Sequence, residues 1–169
     1  MKKDKKFVIS KAEEIHAKFI WKCRNEPSTR LMSLNSEYIT WENHKEWFFK
    51  ALKNSNTHIY IGNLEGKPIA MVRYDLSNNF EKSYEISIFV KSKYQGLGMG
   101  KELLKESLNI LFKKIPLNHN IIACVKKTNE ISKILFKKYG FEISTETDDL
   151  IYYLIRNTYE EKFKGNYEN

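Results

Sequence analysis

One segment, residues 84–113, constrains the fold more than any other part of the chain. It begins with β-branched and aromatic residues from Tyr84 to Val90, with apolar side chains on both parities, which predicts a mostly buried strand. It ends with apolar residues at helical spacing from Leu103 to Phe112 and charged residues on the other face, which predicts an amphipathic helix. Gln95 and three glycines lie between them. The segment is therefore a strand, a glycine-rich loop and a helix in direct succession.

The loop contains Gly96, Gly98 and Gly100. Glycines allow backbone N–H groups to crowd around a ligand, and a helix that starts there adds a partial positive charge, so the loop predicts a pyrophosphate site. A tight strand-to-helix turn without a ligand is the alternative. A Walker loop is excluded because no Lys-Ser or Lys-Thr follows the last glycine, and a nicotinamide fingerprint fits poorly this far along a short chain.

The spacing Gln95-x-x-Gly98-x-Gly100 resembles the acetyl-CoA pyrophosphate loop of the GNAT superfamily of N-acetyltransferases. The later block from Asn129 to Phe141 resembles the superfamily's Asn-x-x-Ala/Ser helix that ends in Gly-Phe. The resemblance implies acetyl-CoA as cofactor, held by loop N–H groups, by a strand backbone that pairs with the pantetheine arm, and by Asn129 unless that residue only caps its helix. The residues implied in cofactor binding are Phe89, Val90, Tyr94, Gln95, Gly96, Leu97, Gly98, Met99, Gly100, Lys101, Asn129, Ser132 and Phe136.

The predicted fold class is α/β (α+β), a single GNAT-like N-acetyltransferase domain over residues 1–169 with a frayed tail at 159–169. Strand and helix patterns predict a mixed, mostly antiparallel sheet of about seven strands with about four flanking helices. The geometry that the resemblance implies requires two central strands, those of Tyr84 and Asn120, to splay apart. A helix between these two strands makes them parallel.

Several finer features also follow from local patterns. Ser10 to Glu13 reads as a capping box that opens the first helix, with Ile15 on its buried stripe. Thr40 is predicted to cap a helix over 41–53. The last helix is predicted from Asn129 to Lys138, with Gly140 as the residue just after its C-terminus. Three of its side chains are expected to point into the core. Those three residues are Ile131, Ile134 and Leu135.

Transfer of an acetyl group from a thioester to an amine needs a base and an acid. Glu85 is the predicted general base, directly or through water, because a carboxylate inside an apolar strand needs a partner or a chemical role. An ion pair with Arg73 is the alternative. Many GNAT enzymes have Tyr where this chain has Phe136, so Tyr139 is the candidate acid, with core packing as its alternative. Tyr152, Tyr153 or water are further options.

The stretch from Arg24 to Phe48 resembles the acceptor side of bacterial N-acetyltransferases that act on UDP-linked amino sugars, notably those of pseudaminic acid biosynthesis. Arginines can pair with phosphates, amides and hydroxyls with sugar hydroxyls, and an indole can stack on a ring. The predicted substrate-binding residues are Arg24, Asn25, Arg30, Ser33, His44 and Trp47. A helical pair with an ordinary aromatic core that includes His44 and Trp47 is the alternative.

Three functions are compatible with the sequence. The first is acetylation of the amino group of a UDP-linked amino-deoxy sugar. The second is acetylation of a protein N-terminus or another small amine; polyamines are disfavoured by a net charge of +8. The third is a non-catalytic acyl-CoA-binding module, suggested by Phe136. The oligomeric expectation is a possible homodimer.

Charge and composition limit the kinds of molecule that this protein is expected to bind. The lysines are scattered rather than clustered with aromatics, so nucleic acid is not expected as a partner. No apolar run has the length or character of a membrane span or a signal peptide, so no membrane partner and no export are expected. The expected location is the cytoplasm. Cys23 and Cys124 have no metal-ligand spacing, so no metal is expected and both are interpreted as reduced, buried thiols.

Overall fold

The structure is a computed structural model and describes residues 6–157. Within them, the strands are β1 (Phe7–Lys11), β2 (Thr57–Leu64), β3 (Lys67–Leu76), β4 (Ser83–Val90), β5 (Asn120–Lys126), β6 (Glu142–Glu146) and β7 (Leu150–Arg156). The helices are α1 (Ala17–Asn25), α2 (Pro27–Met32), α3 (Trp41–Lys53), α4 (Met99–Phe112) and α5 (Glu130–Lys138). The predicted frayed tail lies outside the described residues.

All seven strands belong to one sheet, in the order β1-β2-β3-β4-β5-β7-β6. Every neighbouring pair is antiparallel except β4 and β5, which are parallel because α4 connects them. The predicted single-domain GNAT-like sheet is therefore confirmed. None of the helices within residues 6–157 combines the length and apolar character that crossing a lipid bilayer requires.

Two apolar clusters cover the two faces of the sheet. On one face, α4 and α5 pack on the sheet through a cluster that includes Leu103, Leu104 and Phe136. On the other face, α1 and α3 pack through a smaller cluster that includes Ile20 and Phe48. Successive side chains of β4 point to opposite faces of the sheet. The side chain of Ile86 therefore faces α4, and those of the odd-numbered residues of β4 face α1 and α3.

The start of the chain differs from its prediction. Ser10 does not cap a helix, because β1 continues through Lys11 in register with β2. Glu13 occupies the cap position instead, and its backbone N–H donates to Nδ1 of His16 at 2.9 Å. Ile15, expected on a buried stripe, is 82% exposed because a short 3-10 turn shifts the helical phase before α1 begins.

Two helices also depart from expectation. The segment after Asn25 adds a helix to the four or so that were predicted: Pro27 occupies the first turn of the short helix α2, where its missing N–H costs nothing. In α5, Phe136 is the buried residue, whereas Ile131 and Ile134 are 66% and 53% exposed. The prediction that those two isoleucines point inward was wrong, because short apolar helices do not fix their phase from pattern alone.

Candidate active site

The parallel pair β4 and β5 separates after three residues. Ser83, Tyr84 and Glu85 pair with residues 120–122, and beyond Glu85 the two strands share no further pairing although both continue. This is the splay that the resemblance required. A gap in the middle of a sheet exposes backbone hydrogen-bonding groups that a ligand can satisfy.

Backbone direction in β4 follows from two hydrogen bonds at its ends. The Ser77 N–H donates to the Ser83 carbonyl at 2.8 Å, and the Lys91 N–H donates to the Ile69 carbonyl at 2.9 Å. In an antiparallel pair, every second residue of a strand forms its backbone hydrogen bonds with the neighbouring strand. In β4 these are the odd-numbered residues, which direct their N–H and C=O groups at β3. The even-numbered residues Ile86, Ile88 and Val90 therefore face the gap.

This alternation corrects one predicted cofactor residue. Val90 faces the gap as expected, and its carbonyl accepts a hydrogen bond from Gln95 Nε2 at 2.9 Å, which attaches the loop to the strand. Phe89 instead pairs with Met71 of β3, so its backbone is already used. Ile88, which was not among the predicted residues, directs its backbone at the gap instead, as the regular register of β4 shows.

The glycine-rich loop ends at an uncapped helix N-terminus. Gly98 is the N-cap of α4 with a φ of 81°, and its neighbour Gly96 has a φ of 77°, a left-handed backbone that disfavours other residues. No side chain caps α4, and the first N–H groups of a helix have no partner within it. The N–H groups around Gly98, Met99, Gly100 and Lys101 can therefore bind an anion.

The side chains of the segment from Asn129 to Phe141 mostly make contacts within the fold. The Asn129 side chain accepts a hydrogen bond from the Ser132 N–H at 3.1 Å, so Asn129 is the N-cap of α5 as in the alternative considered for it. Phe136 is buried against the rings of Phe141 and Tyr153, with centroid distances of 5.0 Å and 6.1 Å. Gly140 follows the helix with a φ of 81°, as predicted.

On the α1–α3 side, a cleft of about 420 Å³ opens beside the gap. We call it the β4–β5 cleft. Its lining residues are Leu34, Asn79, Phe80, Glu85, Cys124, Lys126, Asp149, Leu150 and Tyr152. The cleft places the predicted base in a space large enough for a small acceptor.

Glu85 is half-buried in this cleft. Its carboxylate accepts a hydrogen bond from the Ser77 hydroxyl, with 2.5 Å between Oγ and Oε1. The ion pair with Arg73 that was considered as an alternative is not formed, because Arg73 Nε lies 2.6 Å from Oδ2 of Asp75. Glu85 thus has an orienting neutral partner, and its role as base remains a prediction.

Cys124 and Tyr152 interact beside Glu85. Burial raises the pKa of the Cys124 thiol, the charge of Glu85 adds to the rise, and a hydrogen bond with Tyr152 opposes it. The same hydrogen bond is the main cause that raises the pKa of Tyr152. Both groups therefore stay protonated at neutral pH, which makes Cys124 a poor nucleophile and keeps Tyr152 able to donate a proton.

The predicted acid, Tyr139, lies elsewhere. It is the C-cap of α5 and packs against the cluster on the α4 face. Burial raises its pKa, and Glu102 and Glu106 of α4 raise it further, so its neighbours are the side chains of α4. The structure does not bring Tyr139 and Glu85 together, whereas it does bring Tyr152 and Glu85 into one cleft.

Three arginines lie close together on the α1–α3 face. Arg24 Nη2 donates to the Asn35 carbonyl at 2.5 Å, and Arg30 Nε donates to the Ser36 carbonyl at 2.8 Å. Burial lowers the pKa of Arg24, and the positive charges of Arg73 and Arg30 lower it further. Nη1 of Arg24 is buried and has no hydrogen-bond partner among residues 6–157. We call Arg24, Arg30 and Arg73 the arginine cluster.

The other predicted substrate residues mostly have internal partners. Asn25 exchanges two hydrogen bonds with the Ile39 backbone, at 2.8 Å and 2.9 Å, and the Ser33 hydroxyl donates to the Thr29 carbonyl at 2.7 Å. His44 is 2% exposed, and its Nε2 lies 2.9 Å from the Ala17 carbonyl. These contacts favour packing roles. Trp47 is partly exposed beneath Arg73, whose Cζ lies 4.8 Å from the ring centroid.

A gap between parallel strands beside an uncapped, glycine-rich helix N-terminus is the arrangement that the GNAT resemblance implies for an acyl-CoA-dependent acyltransferase. The sequence matches the profile of the family described as "Acetyltransferase (GNAT) family" over residues 16–141. The chain belongs to this family.

Comparisons with known proteins and solved structures support the assignment to this family. YwnH of Bacillus subtilis strain 168, whose proposed activity is phosphinothricin acetylation, is 26% identical over 118 residues, which are 68% of this chain and 70% of YwnH. The Vibrio cholerae spermidine N-acetyltransferase, solved with CoA and spermine, aligns with a TM-score of 0.78 at 18% identity over 90% of this chain and 96% of its own. The yncA protein of Salmonella typhimurium, whose proposed activity is acetyl transfer and which was solved with acetyl-CoA, aligns with a TM-score of 0.76 at 17% identity over 90% of this chain and 94% of its own.

The residues present fit acetyl-CoA. The uncapped N-terminus of α4 suits a pyrophosphate, and the outward-facing backbone of Ile88 and Val90 suits an amide-containing arm that adds to β4 as a strand would. The protein is thus an acetyl-CoA-dependent N-acetyltransferase of the GNAT family. When bound, acetyl-CoA supplies the thioester carbonyl that the amine attacks.

Proposed function

We propose that this enzyme acetylates the amino group of an acceptor that also carries an anionic group, and that a UDP-linked amino-deoxy sugar is the acceptor. The observation that carries the proposal is the buried Nη1 of Arg24, which lacks a partner among residues 6–157 and lies beside two further arginines. A phosphate bound at the arginine cluster would offset the mutual repulsion of its three guanidinium groups.

The surroundings of the arginine cluster suit such an acceptor. Arg24 and Arg30 hold the carbonyls of Asn35 and Ser36, in the same loop from which Leu34 reaches the β4–β5 cleft. The Lys126 ammonium, also at the cleft, donates to the Leu31 carbonyl at 3.0 Å. An acceptor could therefore place its anionic end at the cluster and its amine at the cleft.

In this proposal, Glu85 removes a proton from the bound ammonium group, with Ser77 fixing the orientation of the carboxylate. The N–H groups of Ile88 and Val90 face the gap and stabilise negative charge that develops there. Tyr152, rather than Tyr139, would supply the proton that the leaving thiolate needs. Cys124 stays a neutral thiol that positions the Tyr152 hydroxyl.

A second acceptor class shares the same anionic recognition. Phosphinothricin is an amino acid with two acidic groups, and the YwnH relative motivates it as a candidate. A polyamine such as the spermidine of the Vibrio cholerae enzyme would instead be repelled by three arginines. Acetylation of a protein N-terminus, which carries no obligatory anion, is the remaining alternative.

The experiment measures thiol release from acetyl-CoA with a UDP-amino sugar, phosphinothricin, spermidine and an N-terminal peptide. We expect turnover with the anionic acceptors, and we expect Arg24→Gln to raise their KM about tenfold to a hundredfold with the KM for acetyl-CoA unchanged. Lys22→Gln, an exposed change on α1, is the matched control. Efficient turnover of spermidine or the peptide without the anionic acceptors would overturn the proposal.

A further inference from the structure

The short helix α2 connects the two strands that separate at the active site. Just before it begins, the Glu26 carboxylate accepts a hydrogen bond from the Ser92 hydroxyl at 3.4 Å, and Ser92 follows β4. Near its end, the Leu31 carbonyl accepts a hydrogen bond from the Lys126 ammonium at 3.0 Å, and Lys126 is the last residue of β5. Because β4 and β5 share no pairing beyond Glu85, α2 bridges the open end of the gap.

The packing of α2 against the rest of the fold is weak. None of its side chains is buried, Leu31 and Met32 are 65% and 38% exposed, and residues 34–38 after it are exposed as well. The hydrogen bonds that Arg24 and Arg30 donate to this loop attach it to α1 and α2, not to the sheet. Segments with so few buried contacts open more readily than a packed core. A single hydrogen bond from β5 can therefore decide where α2 and its loop lie.

Lys126 is placed to hold the end of α2. Ala123 and Val125 pack on the α4 face of the sheet, so alternation along β5 directs Lys126 at the α1–α3 side, where it lines the β4–β5 cleft. The ion pairs among residues 6–157 do not include Lys126. The last carbonyls of a helix have no N–H donor within it, and a lysine side chain can supply one. The Lys126 ammonium therefore serves the Leu31 carbonyl and not a carboxylate.

We propose that Lys126 is a positioning residue for the acceptor. By holding the Leu31 carbonyl, it fixes Arg30, the residue before Leu31, and the loop from which Leu34 reaches the β4–β5 cleft. Without this hold, the loop would have to be ordered when the acceptor binds, and that ordering lowers the affinity for the acceptor. The role rests on the proposed binding of the acceptor in the cleft, and it does not depend on which acceptor binds.

The first measurement is amide hydrogen exchange of the free protein, which needs no acceptor. The backbone N–H groups of Arg30 and Ser33 donate to carbonyls of the same helical segment at 2.9 Å and 3.0 Å, so their exchange rates report on α2. Lys126→Met keeps the aliphatic stem and removes the ammonium, and it should make both amides exchange about fivefold faster. Lys126→Arg keeps a donor and should restore the parent rates. Lys127→Met, which removes a surface ion pair with β6, is the matched control and should leave both rates unchanged.

Steady-state kinetics with the acceptor that the parent turns over best then tests whether this hold serves the acceptor. Lys126→Met should raise the acceptor KM about tenfold, while kcat and the KM for acetyl-CoA stay within about threefold of the parent. Lys126→Arg should recover most of the acceptor affinity, and Lys127→Met should match the parent. A general loss of structure would instead change both KM values and kcat together.

The two measurements separate the possible outcomes. Unchanged exchange in Lys126→Met would overturn the proposal, and a raised acceptor KM without faster exchange would mean that Lys126 contacts the acceptor directly. Faster exchange with an unchanged acceptor KM would also overturn it. Failure of the proposed function is seen in the parent alone, as turnover of spermidine or the peptide without the anionic acceptors.

Discussion

The hydroxyl of Ser77 donates a hydrogen bond to the carboxylate of Glu85, with 2.5 Å between Oγ and Oε1. Ser77 follows β3 and Glu85 lies in β4, so the bond spans the two strands at the level where β4 parts from β5. A neutral hydroxyl orients a carboxylate and leaves its negative charge in place, whereas an arginine would neutralise that charge. Arg73 forms its ion pair with Asp75 instead, so it does not neutralise Glu85.

The first prediction concerns Glu85. Glu85→Gln should lower kcat on the order of 10²–10³-fold, because a base is lost, while the KM for acetyl-CoA and the fold stay unchanged. The amide oxygen can still accept the Ser77 hydrogen bond, so destabilisation is not expected. Steady-state thiol release with the preferred acceptor measures this. Ser77→Ala, which only loosens the carboxylate, should cost about tenfold or less, and a Glu85→Gln enzyme within threefold of the parent would refute the assignment.

The second prediction separates two phenols. Tyr152→Phe should lower kcat on the order of 10²-fold, because it removes the cleft hydroxyl next to Cys124, whereas Tyr139→Phe should leave kcat within about threefold. Both changes keep the ring, and Tyr152 retains its packing on Phe80 at 5.6 Å. Each variant is therefore the other's control. The reverse pattern of kcat values would return the role of acid to Tyr139.

The third prediction concerns the backbone of the acetyl-CoA loop. Gly98→Ala forces a side chain into a φ of 81° and should destabilise the fold by about 1–2 kcal/mol. It should also weaken acetyl-CoA binding about tenfold or more, because the N–H groups at the start of α4 move. Gly66→Ala, in the β2–β3 turn with a φ of 77°, carries similar strain away from the site. Calorimetric binding of acetyl-CoA should distinguish them, and equal affinities would argue against the loop as the pyrophosphate site.

Several elements could be predicted from sequence because their signals are local. The helix over 41–53 has its bounds as predicted, since Thr40 caps it by accepting from the Asn43 N–H at 3.3 Å. Gly140 ends α5 because only a left-handed residue closes that turn. The parallel pairing of β4 and β5 follows from the helix between them.

Other features could not be predicted because they depend on tertiary contacts. The pattern around Ser10 satisfies a capping box, but pairing with β2 keeps that residue in a strand. Tyr152 joins Glu85 only because β7 inserts between β5 and β6. Asn25 carries polar atoms that suit a sugar equally well, and only the fold shows that the Ile39 backbone occupies them. The partners of residues such as Asn25 on the acceptor side therefore could not be predicted from sequence.

The last prediction concerns His44, whose buried ring stacks on Phe48 with centroids 5.7 Å apart. Burial lowers the pKa of His44 below its ordinary value of 6.5, although the bond to the Ala17 carbonyl opposes this. The unfolded chain then binds more protons than the folded protein as the pH falls through 6.5, so the free energy of unfolding decreases there and is fully restored above it. His58 shifts in the same direction and adds to the slope.

His44→Gln should therefore be less stable at about pH 7.5, by about 1–3 kcal/mol, and should lose part of the decrease between about pH 7.5 and pH 5.5. Urea denaturation at each pH measures both quantities. Adding His58→Gln to His44→Gln should flatten the remaining slope further. A pH dependence that is the same in the parent and both variants would show that neither buried imidazole resists protonation in the folded protein.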